Sequence, residues 1–487
     1  MINVKIDSRK VENGDTFVAL KGSTVDGHDF IDKAIENGAV RVVISENIKC
    51  NVETIKVDDT NKWLTNYVSD NYSKEVNNMN ILGITGTNGK TTTAYLTYQL
   101  LNLLGSKTAY IGTIGFYLPD EDVRELPNTT PNILDLYELI LEAKSKGCKN
   151  VMMEVSSHAL DQKRVNGINY KIAGFTNLTQ DHLDYHKTME AYLKAKLLLL
   201  KQLSGDMIVN VDDKYGKEWL NHYDKCYTLG KNGKDYKIVN YRDTDKGTML
   251  NLSIEGVDYQ VETNLRSTFN VYNYLTALAF VNRLGFSIEE IIRVTKDIYP
   301  PKGRCEQIKV GKGEAVIDYA HTPDAVEKII DAFSENKKGR VITLVGCGGD
   351  RDPKKRPIMG NIASSKSDYV IFTSDNPRTE DPNKIMDDII AGVKTNNYEI
   401  ELDRRKAIVK ALDMIKDNDV VLLLGKGHED YQILGHEKVH LDDAEEVRNY
   451  KKNHSLEWFF IILFYLYFLL IYFSFYNPRI LNLLNHK

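Results

Sequence analysis

The stretch Ile81-Leu82-Gly83-Ile84-Thr85-Gly86-Thr87-Asn88-Gly89-Lys90-Thr91-Thr92 decides the fold. Ile81 to Thr85 is a short apolar run that reads as a buried strand, and Thr91 to Leu104 reads as a helix closed by Gly105. Between them the glycines let the backbone wrap a polyphosphate, and the helix N-terminus adds the positive end of its dipole. Lys90 is suited to neutralise β/γ-phosphate charge, and the Thr91 hydroxyl to ligate Mg²⁺. The match to the general phosphate-binding pattern is incomplete, because its first glycine falls at Ile84.

Outward from this loop the chain alternates strand and helix. Val151 to Val155 and Ile172 to Phe175 read as further buried strands, which predicts a parallel sheet flanked by helices. Residues 205–265 are strand-like and polar, an expected antiparallel appendage. Pro300-Pro301-Lys302-Gly303 marks a boundary, after which Ala315–Ile317, Val341–Val345, Tyr369–Phe372 and Val420–Leu424 read as strands of a second doubly wound region. On the N-terminal side, the runs Thr16–Leu20 and Val40–Ile44 with a helical stretch Phe30–Asn37 between them read as a small α/β domain, and polar Ser73–Asn80 as a linker. The expectation is an α/β chain of three domains, residues 1–78, 79–302 and 303–452, followed by an anomalous tail, 453–487.

Length and composition agree with several folded domains. The 487 residues carry 63 Lys+Arg against 68 Asp+Glu, a net charge of −5, so no strongly basic face for nucleic acid is expected. The five cysteines form no C-x-x-C pair, which disfavours a zinc site and a disulfide framework and suits a reducing compartment. Met1 to Asp7 lacks a signal peptide's apolar core, so a cytoplasmic body is expected. The tail departs from this picture. Trp458–Phe475 is an uncharged apolar run of 18 residues preceded by Lys451 and Lys452. It reads as a C-terminal membrane anchor, as a buried helix, or as an AT-rich stretch translated in the wrong frame, since the tail lacks Gly, Ala and Val. Membrane contact is expected only on the first reading.

Three further residues suit a metal and phosphate site. Glu154 ends a strand, where ligands gather in a parallel sheet. His182, in Asp181-His182-Leu183-Asp184, offers another ligand. In the helix expected over Met189–Leu203, Leu193, Lys196, Leu197 and Leu200 recur at i, i+3, i+4, i+7, so Lys196 faces inward. A buried lysine tends toward a lowered pKa, and a neutral amine can take up CO2 as a carbamate, an oxygen ligand for Mg²⁺. Taken alone, each of these residues also has a plain structural reading.

Together, Thr85-Gly86-Thr87-Asn88-Gly89-Lys90-Thr91-Thr92, Glu154-Val155-Ser156-Ser157-His158 and Thr176-Asn177-Leu178-Thr179-Gln180-Asp181-His182-Leu183-Asp184 resemble the Mur ligases, ATP-dependent amide-forming enzymes of peptidoglycan-precursor synthesis. The resemblance runs from Asp7-Ser8-Arg9 to Gly425-Lys426-Gly427-His428-Glu429 and does not reach 453–487. It accounts for Ile84 and implies a UDP-binding domain, a central ATPase domain and a C-terminal Rossmann-like domain. It is closest to the family's diamino-acid-adding ligases, which act on UDP-N-acetylmuramoyl-L-alanyl-D-glutamate. It implies Lys196 as the carbamylated lysine, with Glu154, His182 and Thr91 around Mg²⁺, and Lys90 as a catalytic group. Gly86, Thr87, Asn88, Gly89, Lys90, Thr91 and Thr92, with Asn270, Asn273, Arg304 and Asp318, are implied for ATP. Ser8, Ser23, Thr24, Val25, Thr129, Thr130, Ser156, Gln162 and Arg164 are implied for the UDP-sugar peptide.

Asp375-Asn376-Pro377-Arg378 resembles the family's meso-diaminopimelate motif. The acceptor ends in a second α-amino acid group, and Arg378 can grip its carboxylate with two parallel N–H bonds. Glu429 can take the ammonium; Arg356 is implied as a second anion partner and Gly425 as a further contact. L-lysine lacks the distal carboxylate, and leaving Arg378 unpaired in a closed site disfavours it by on the order of 10⁴. By contrast, Val345-Gly346-Cys347-Gly348-Gly349-Asp350 carries Arg351 where a dinucleotide fingerprint needs its third glycine, and Cys347 reads as a small turn residue.

The implied chemistry is an acyl phosphate formed from the D-Glu carboxylate and ATP, then attacked by the acceptor's amine, with domain closure excluding water. No base is assigned to His158 or His182. Three rivals stay open: an L-lysine-adding homologue, a folylpolyglutamate-synthetase-type ligase, and an ATPase binding module tethered to a membrane by the tail.

Overall fold

The computed structural model describes residues 3–21, 25–244, 247–335 and 337–452. The chain divides into two units at the Pro301–Lys302 junction.

In the first unit, a four-stranded parallel sheet runs β1 (Val4–Lys5), β2 (Thr16–Val18), β3 (Arg41–Ile44), β4 (Glu53–Lys56). The strands after it are β5 (Asn80–Thr85), β6 (Thr108–Gly112), β7 (Gly115–Tyr117), β8 (Asn150–Glu154), β9 (Tyr170–Phe175), β10 (Leu203–Asn210), β11 (Cys226–Gly230), β12 (Tyr236–Thr244), β13 (Gly247–Ile254) and β14 (Val257–Thr263). They form one sheet in the order β14-β13-β12-β11-β10-β9-β5-β8-β6-β7. Its heart, β11-β10-β9-β5-β8-β6, is parallel. The β12-β13-β14 meander is antiparallel. The expected appendage is therefore residues 236–263 only; β10 and β11, read from sequence as part of it, belong to the parallel sheet.

Alternation along β5 explains the layering. Leu82 and Ile84 face a core shared with helices Lys90–Leu103 and Thr268–Arg283. Ile81 faces the other core, with Tyr137, Met153 and Phe175, which continues into Val18, Val43 and Val68 of the N-terminal region. Gly83 is required here: a Cβ would lie 2.7 Å from the Tyr170 ring. The polar stretch Ser73–Asn80 is not a free linker. Residues through Val76 are the last turn of helix Thr60–Val76, whose buried face is Thr60, Leu64, Val68 and Val76. Buried residues at four-residue spacing were masked in the sequence by the surrounding Asn, Asp, Ser and Lys.

The second unit holds β15 (Glu306–Val310), β16 (Gly313–Asp318), β17 (Val341–Val345), β18 (Tyr369–Phe372), β19 (Tyr398–Ile400) and β20 (Val420–Leu424). Their order is β15-β16-β20-β17-β18-β19, parallel except for β15. A hairpin, Tyr431–Leu434 with Glu437–His440, follows. Among the described residues no helix is long and apolar enough to cross a membrane. The run Trp458–Phe475 lies outside the described residues.

Candidate active site

The loops after β5, β8 and β9 converge at the carboxyl edge of the central sheet, as expected for a ligand crevice in a parallel sheet. The chain from Gly86 to Gly89 is pinned from behind: the Thr87 amide donates to the Asn177 carbonyl (2.9 Å) and the Asn88 amide to Asn177 Oδ1 (2.9 Å). Gly86 has φ +150° and Gly89 φ +85°. A Cβ on Gly89 would stand 2.4 Å from Asn273 Oδ1, so the loop sits directly against helix Thr268–Arg283. Asn273 in turn donates to Asn270 Oδ1 (3.0 Å), which joins both asparagines to the loop. Lys90 curls back to donate to the carbonyls of Gly86 (3.0 Å) and Thr87 (2.8 Å). Thr92 is buried in the first helical turn.

Glu154 is wholly buried and accepts four hydrogen bonds: from Thr91 Oγ1 (2.9 Å), Tyr110 OH (2.6 Å), and the Thr113 amide (2.8 Å) and hydroxyl (3.2 Å). Tyr110 and Thr113 went unnoticed in the sequence, because nothing local marks a strand tyrosine as facing a carboxylate from another strand.

Lys196 is 1% exposed, and its Nζ donates to the Gly86 carbonyl at 2.8 Å, above the Tyr192 ring. Burial, with Lys90 nearby, holds its amine well below the ordinary lysine range. The stripe that carries it differs from the expected one. The buried residues are Tyr192, Ala195, Lys196 and Leu199, whereas Leu193, Leu197 and Leu200 are half-buried. The α-helix also ends at Leu197 and tightens into a 3₁₀ turn, Leu198–Gln202, short of the expected Leu203. Tyrosine and alanine outrank leucine here because Tyr192 reaches the Thr87 hydroxyl (3.2 Å) and packs on His186.

His182 lies in the left-handed region (φ +54°), with its ring edge-on to His158 at 4.9 Å. Desolvation, helped by His158, Lys90 and Lys196 against the pull of Asp181, brings its imidazole down to about 4. It is therefore neutral near pH 7, the form that can ligate a metal.

The groups expected to hold the sugar peptide are partly brought together. Thr130 Oγ1 donates to the Glu154 carbonyl (2.9 Å) and accepts from the Ser156 amide (3.1 Å). Arg164 donates to the Thr130 carbonyl (3.3 Å) and to Gln162 Oε1. Thr129 and Thr113 share a hydroxyl contact (3.0 Å). Ser8 opens a 3₁₀ turn and is buried, with its carbonyl accepting from Asn37 Nδ2 (2.8 Å). Val25 is exposed. Ser23 and Thr24 lie outside the described residues.

In the second unit, the loops after β18 and β20 meet the hairpin. Asn376 is buried and bonded at both ends of its amide: Nδ2 donates to Glu429 Oε2 (2.9 Å), and Oδ1 accepts from Lys426 Nζ (3.0 Å) and the Ile433 amide (2.9 Å). Asp375 lies against Gly425, where a Cβ would be 2.6 Å from its Oδ2. The Pro377 carbonyl leaves no room for a Cβ on Gly349. Arg378 (φ +53°) donates through Nη1 to the Gly349 carbonyl (2.7 Å), and among the described residues Nε and Nη2 have no partner. Arg356 is placed differently from an anion-binding arginine. It is buried, and its guanidinium is held by Glu380 (2.9 Å) and Asp388 (2.9 Å). Arg351 is exposed and, among the described residues, bonded only to the Asp350 carbonyl; it lies with Arg378 beside Gly348. Arg304 lies over the Tyr319 ring. Asp318 accepts from the Cys305 (2.7 Å) and Ala320 (2.8 Å) amides, and burial pushes its carboxyl up against the pull of Arg304.

Fold and site together define an α/β enzyme with a phosphate-binding loop of the P-loop type, a buried lysine beside that loop, and a separate Rossmann-like unit. The models for the Mur ligase family catalytic domain, the Mur ligase middle domain and the Mur ligase glutamate ligase domain match residues 2–77, 84–281 and 303–427. The chain is 43% identical over 458 residues to a UDP-N-acetylmuramoyl-L-alanyl-D-glutamate–2,6-diaminopimelate ligase of Clostridium acetobutylicum, covering 92% of this chain and 94% of the relative. It is likewise 43% identical to the ligase of that name from Aquifex aeolicus, covering 91% and 92%. A solved structure of a ligase with this name superposes with a TM-score of 0.65 at 32% identity, over 93% of this chain and 95% of the other. A Mycobacterium tuberculosis folylpolyglutamate synthase complexed with ADP matches at 14% identity, TM-score 0.63, over 75% and 91%, a likeness of fold alone. The chain belongs to the Mur ligase family.

Proposed function

We propose that this protein is the ATP-dependent ligase that joins meso-diaminopimelate to the D-glutamate of UDP-N-acetylmuramoyl-L-alanyl-D-glutamate, forming a peptidoglycan precursor, ADP and phosphate. The residue-level observation that carries it is Asn376, which ties the cation Arg378 and the anion Glu429 to one turn, matching the two charges of the acceptor's far end. The similarity to relatives of that name supports the same reading. We take residues 1–78, 79–302 and 303–452 as the UDP-binding, ATPase and acceptor-binding domains.

The Gly86–Thr92 loop and Lys90 receive the triphosphate, with Asn270 and Asn273 beside it for the base; Arg304 and Asp318 are assigned to ATP as well. Thr130, Ser156, Gln162 and Arg164 hold the sugar peptide, with Ser8, Ser23, Thr24, Val25 and Thr129. The D-Glu γ-carboxylate attacks the γ-phosphorus and ADP leaves; positioning of the reactants supplies much of the rate. The acceptor amine then attacks the acyl carbon, and phosphate leaves as the amide forms. Thr91, Glu154, His182 and Lys196 as its carbamate offer the oxygen and imidazole donors that suit Mg²⁺, which when bound stabilises phosphoryl charge. The oxygen-rich surroundings of Glu154 and the depressed Lys196 amine fit such a site. Arg378 and Arg351, rather than the already paired Arg356, take the acceptor's distal carboxylate, and Asp375, Asn376, Pro377 and Gly425 shape the turn around it.

The test is phosphate release with ATP, Mg²⁺ and the UDP-dipeptide, comparing meso-diaminopimelate with L-lysine. Release dependent on meso-diaminopimelate, with the UDP-tripeptide as product, is the expected result. Release with L-lysine alone overturns the acceptor assignment, and release indifferent to both overturns the ligase reading.

A further inference from the structure

The acceptor region contains a cation with no role so far. Lys426 is wholly buried, and its ammonium donates to Asn376 Oδ1 (3.0 Å), Glu429 Oε2 (2.8 Å) and the Tyr431 carbonyl. An ammonium has three N–H donors, so all three are used, which removes Lys426 from consideration as a nucleophile or a phosphate ligand. Its acceptors come from three segments: the turn after β18, the loop after β20, and the hairpin. The hairpin is itself bonded to the turn. The Arg378 amide donates to the Ile433 carbonyl (3.1 Å), the Gly435 amide to the Arg378 carbonyl (2.8 Å), and Gln432 Nε2 to the Asp375 carbonyl (2.6 Å). Lys426 is the charged hub of this assembly.

The consequence falls on Glu429. Its Oε2 is held from two sides, by Lys426 and Asn376, while among the described residues Oε1 accepts only a long bond from the Tyr319 hydroxyl (3.5 Å). The carboxylate is thus oriented with one oxygen left for a ligand, and part of its charge is already balanced. The Arg404–Asp443 pair is fully buried and its two charges offset each other, so it adds no net charge.

Resting on the acceptor reading above, we propose that Lys426 is a positioning residue for the acceptor. It aims Glu429 and Asn376, and by offsetting the Glu429 charge it selects an amino acid whose far end carries both ammonium and carboxylate over one carrying an ammonium alone. Without Lys426, Glu429 becomes a half-buried carboxylate that keeps the Asn376 amide but loses its paired cation. Such a group attracts a bare ammonium more strongly and repels a neighbouring substrate carboxylate.

The experiment measures steady-state ligation in wild type, Lys426→Met, Lys426→Gln and Lys426→Arg with meso-diaminopimelate and with L-lysine. In the two charge-removing variants, the KM for meso-diaminopimelate rises about tenfold or more while the KM for ATP stays near wild type. The preference for meso-diaminopimelate over L-lysine falls by a similar factor, and Lys426→Arg keeps the wild-type preference. Lys426→Gln, which retains a hydrogen-bond donor, carries the test if Lys426→Met does not fold. An unchanged preference in a folded charge-removing variant, or a parallel rise in the KM of every substrate, reduces Lys426 to framework and overturns the inference. If wild type does not use meso-diaminopimelate, the acceptor reading fails first, and the wild-type control alone reveals it.

Discussion

Lys196 donates its amine to the backbone carbonyl of Gly86 at 2.8 Å, which joins a lysine of one helix to the first glycine of the phosphate-binding loop. This amine is wholly buried beside the phosphate loop, and burial with Lys90 nearby holds it well below the ordinary lysine range, which favours the neutral form that takes up CO2. Lys196→Met is expected to lower ligation by about 10²–10³ or more, on the scale of losing one preorganised electrostatic group. Lys196→Arg is not expected to rescue it, since a guanidinium forms no stable carbamate. Isotopically labelled bicarbonate should give a carbamate carbon resonance in wild type that is missing from both variants. A resonance unchanged in Lys196→Met would place the carbamate elsewhere.

Three arginines in one region are expected to respond in two opposite ways. Arg351→Ala and Arg378→Ala should raise the KM for the acceptor with little loss of stability, because neither side chain is ion-paired among the described residues. Arg356→Ala should destabilise by about 2 kcal/mol, because it removes the shared partner of Glu380 and Asp388. Denaturant melts and acceptor saturation curves of the three variants separate the roles.

This contrast also marks where the sequence stops being legible. The strands around Gly86 were readable because local apolar runs, glycine and the helix start all agree. The inward aspect of Lys196 was readable from helical spacing, although the stripe lay one residue off, since spacing cannot tell leucine contacts from a tyrosine that bonds Thr87. Resemblance implied Arg356 as an anion partner, and its own carboxylate partners, 24 and 32 residues away, could not be read beside it in the sequence. Lys426 has two acceptors close by in sequence, Glu429 and Tyr431, but the one that ties it to the acceptor turn, Asn376, lies 50 residues upstream. Long-range pairing of charges is a tertiary property, and local pattern carries no trace of it.

His428 supplies a pH dependence. Burial, with Arg304, Lys302 and Lys426 nearby, brings its imidazole down to about 3, and its Nδ1 has no partner among the described residues. In the unfolded chain it titrates near about 6.5. Between these values the unfolded state binds the extra proton, so stability contributed by neutral His428 is complete above about pH 6.5 and declines as pH falls toward the folded value. Denaturant midpoints are therefore expected to drop between about pH 7 and about pH 5, and His428→Gln should flatten that drop. An equally steep drop in the variant would assign it to other groups.

Ser267 is held at φ +82°, ψ +147°, a region that only glycine occupies without strain, and its buried hydroxyl has no partner among the described residues. Both features cost stability: roughly 1–3 kcal/mol for the backbone, and a further desolvation penalty for the orphaned hydroxyl. Ser267→Gly removes both, against a loss of roughly 0.5–1 kcal/mol for the greater freedom of glycine in the unfolded chain. The balance favours the variant by about 1 kcal/mol, read as a higher denaturant midpoint with an unchanged slope. Ser267→Ala removes only the hydroxyl and keeps the strain, so its gain should be smaller. The residue begins the helix that carries Asn270 and Asn273 to the phosphate loop, and its carbonyl accepts from the Asn270 amide (3.0 Å). If Ser267→Gly is more stable yet shows a raised KM for ATP, the strained backbone is what aims that helix at the nucleotide. If stability rises and the KM is unchanged, the strain serves no purpose in binding.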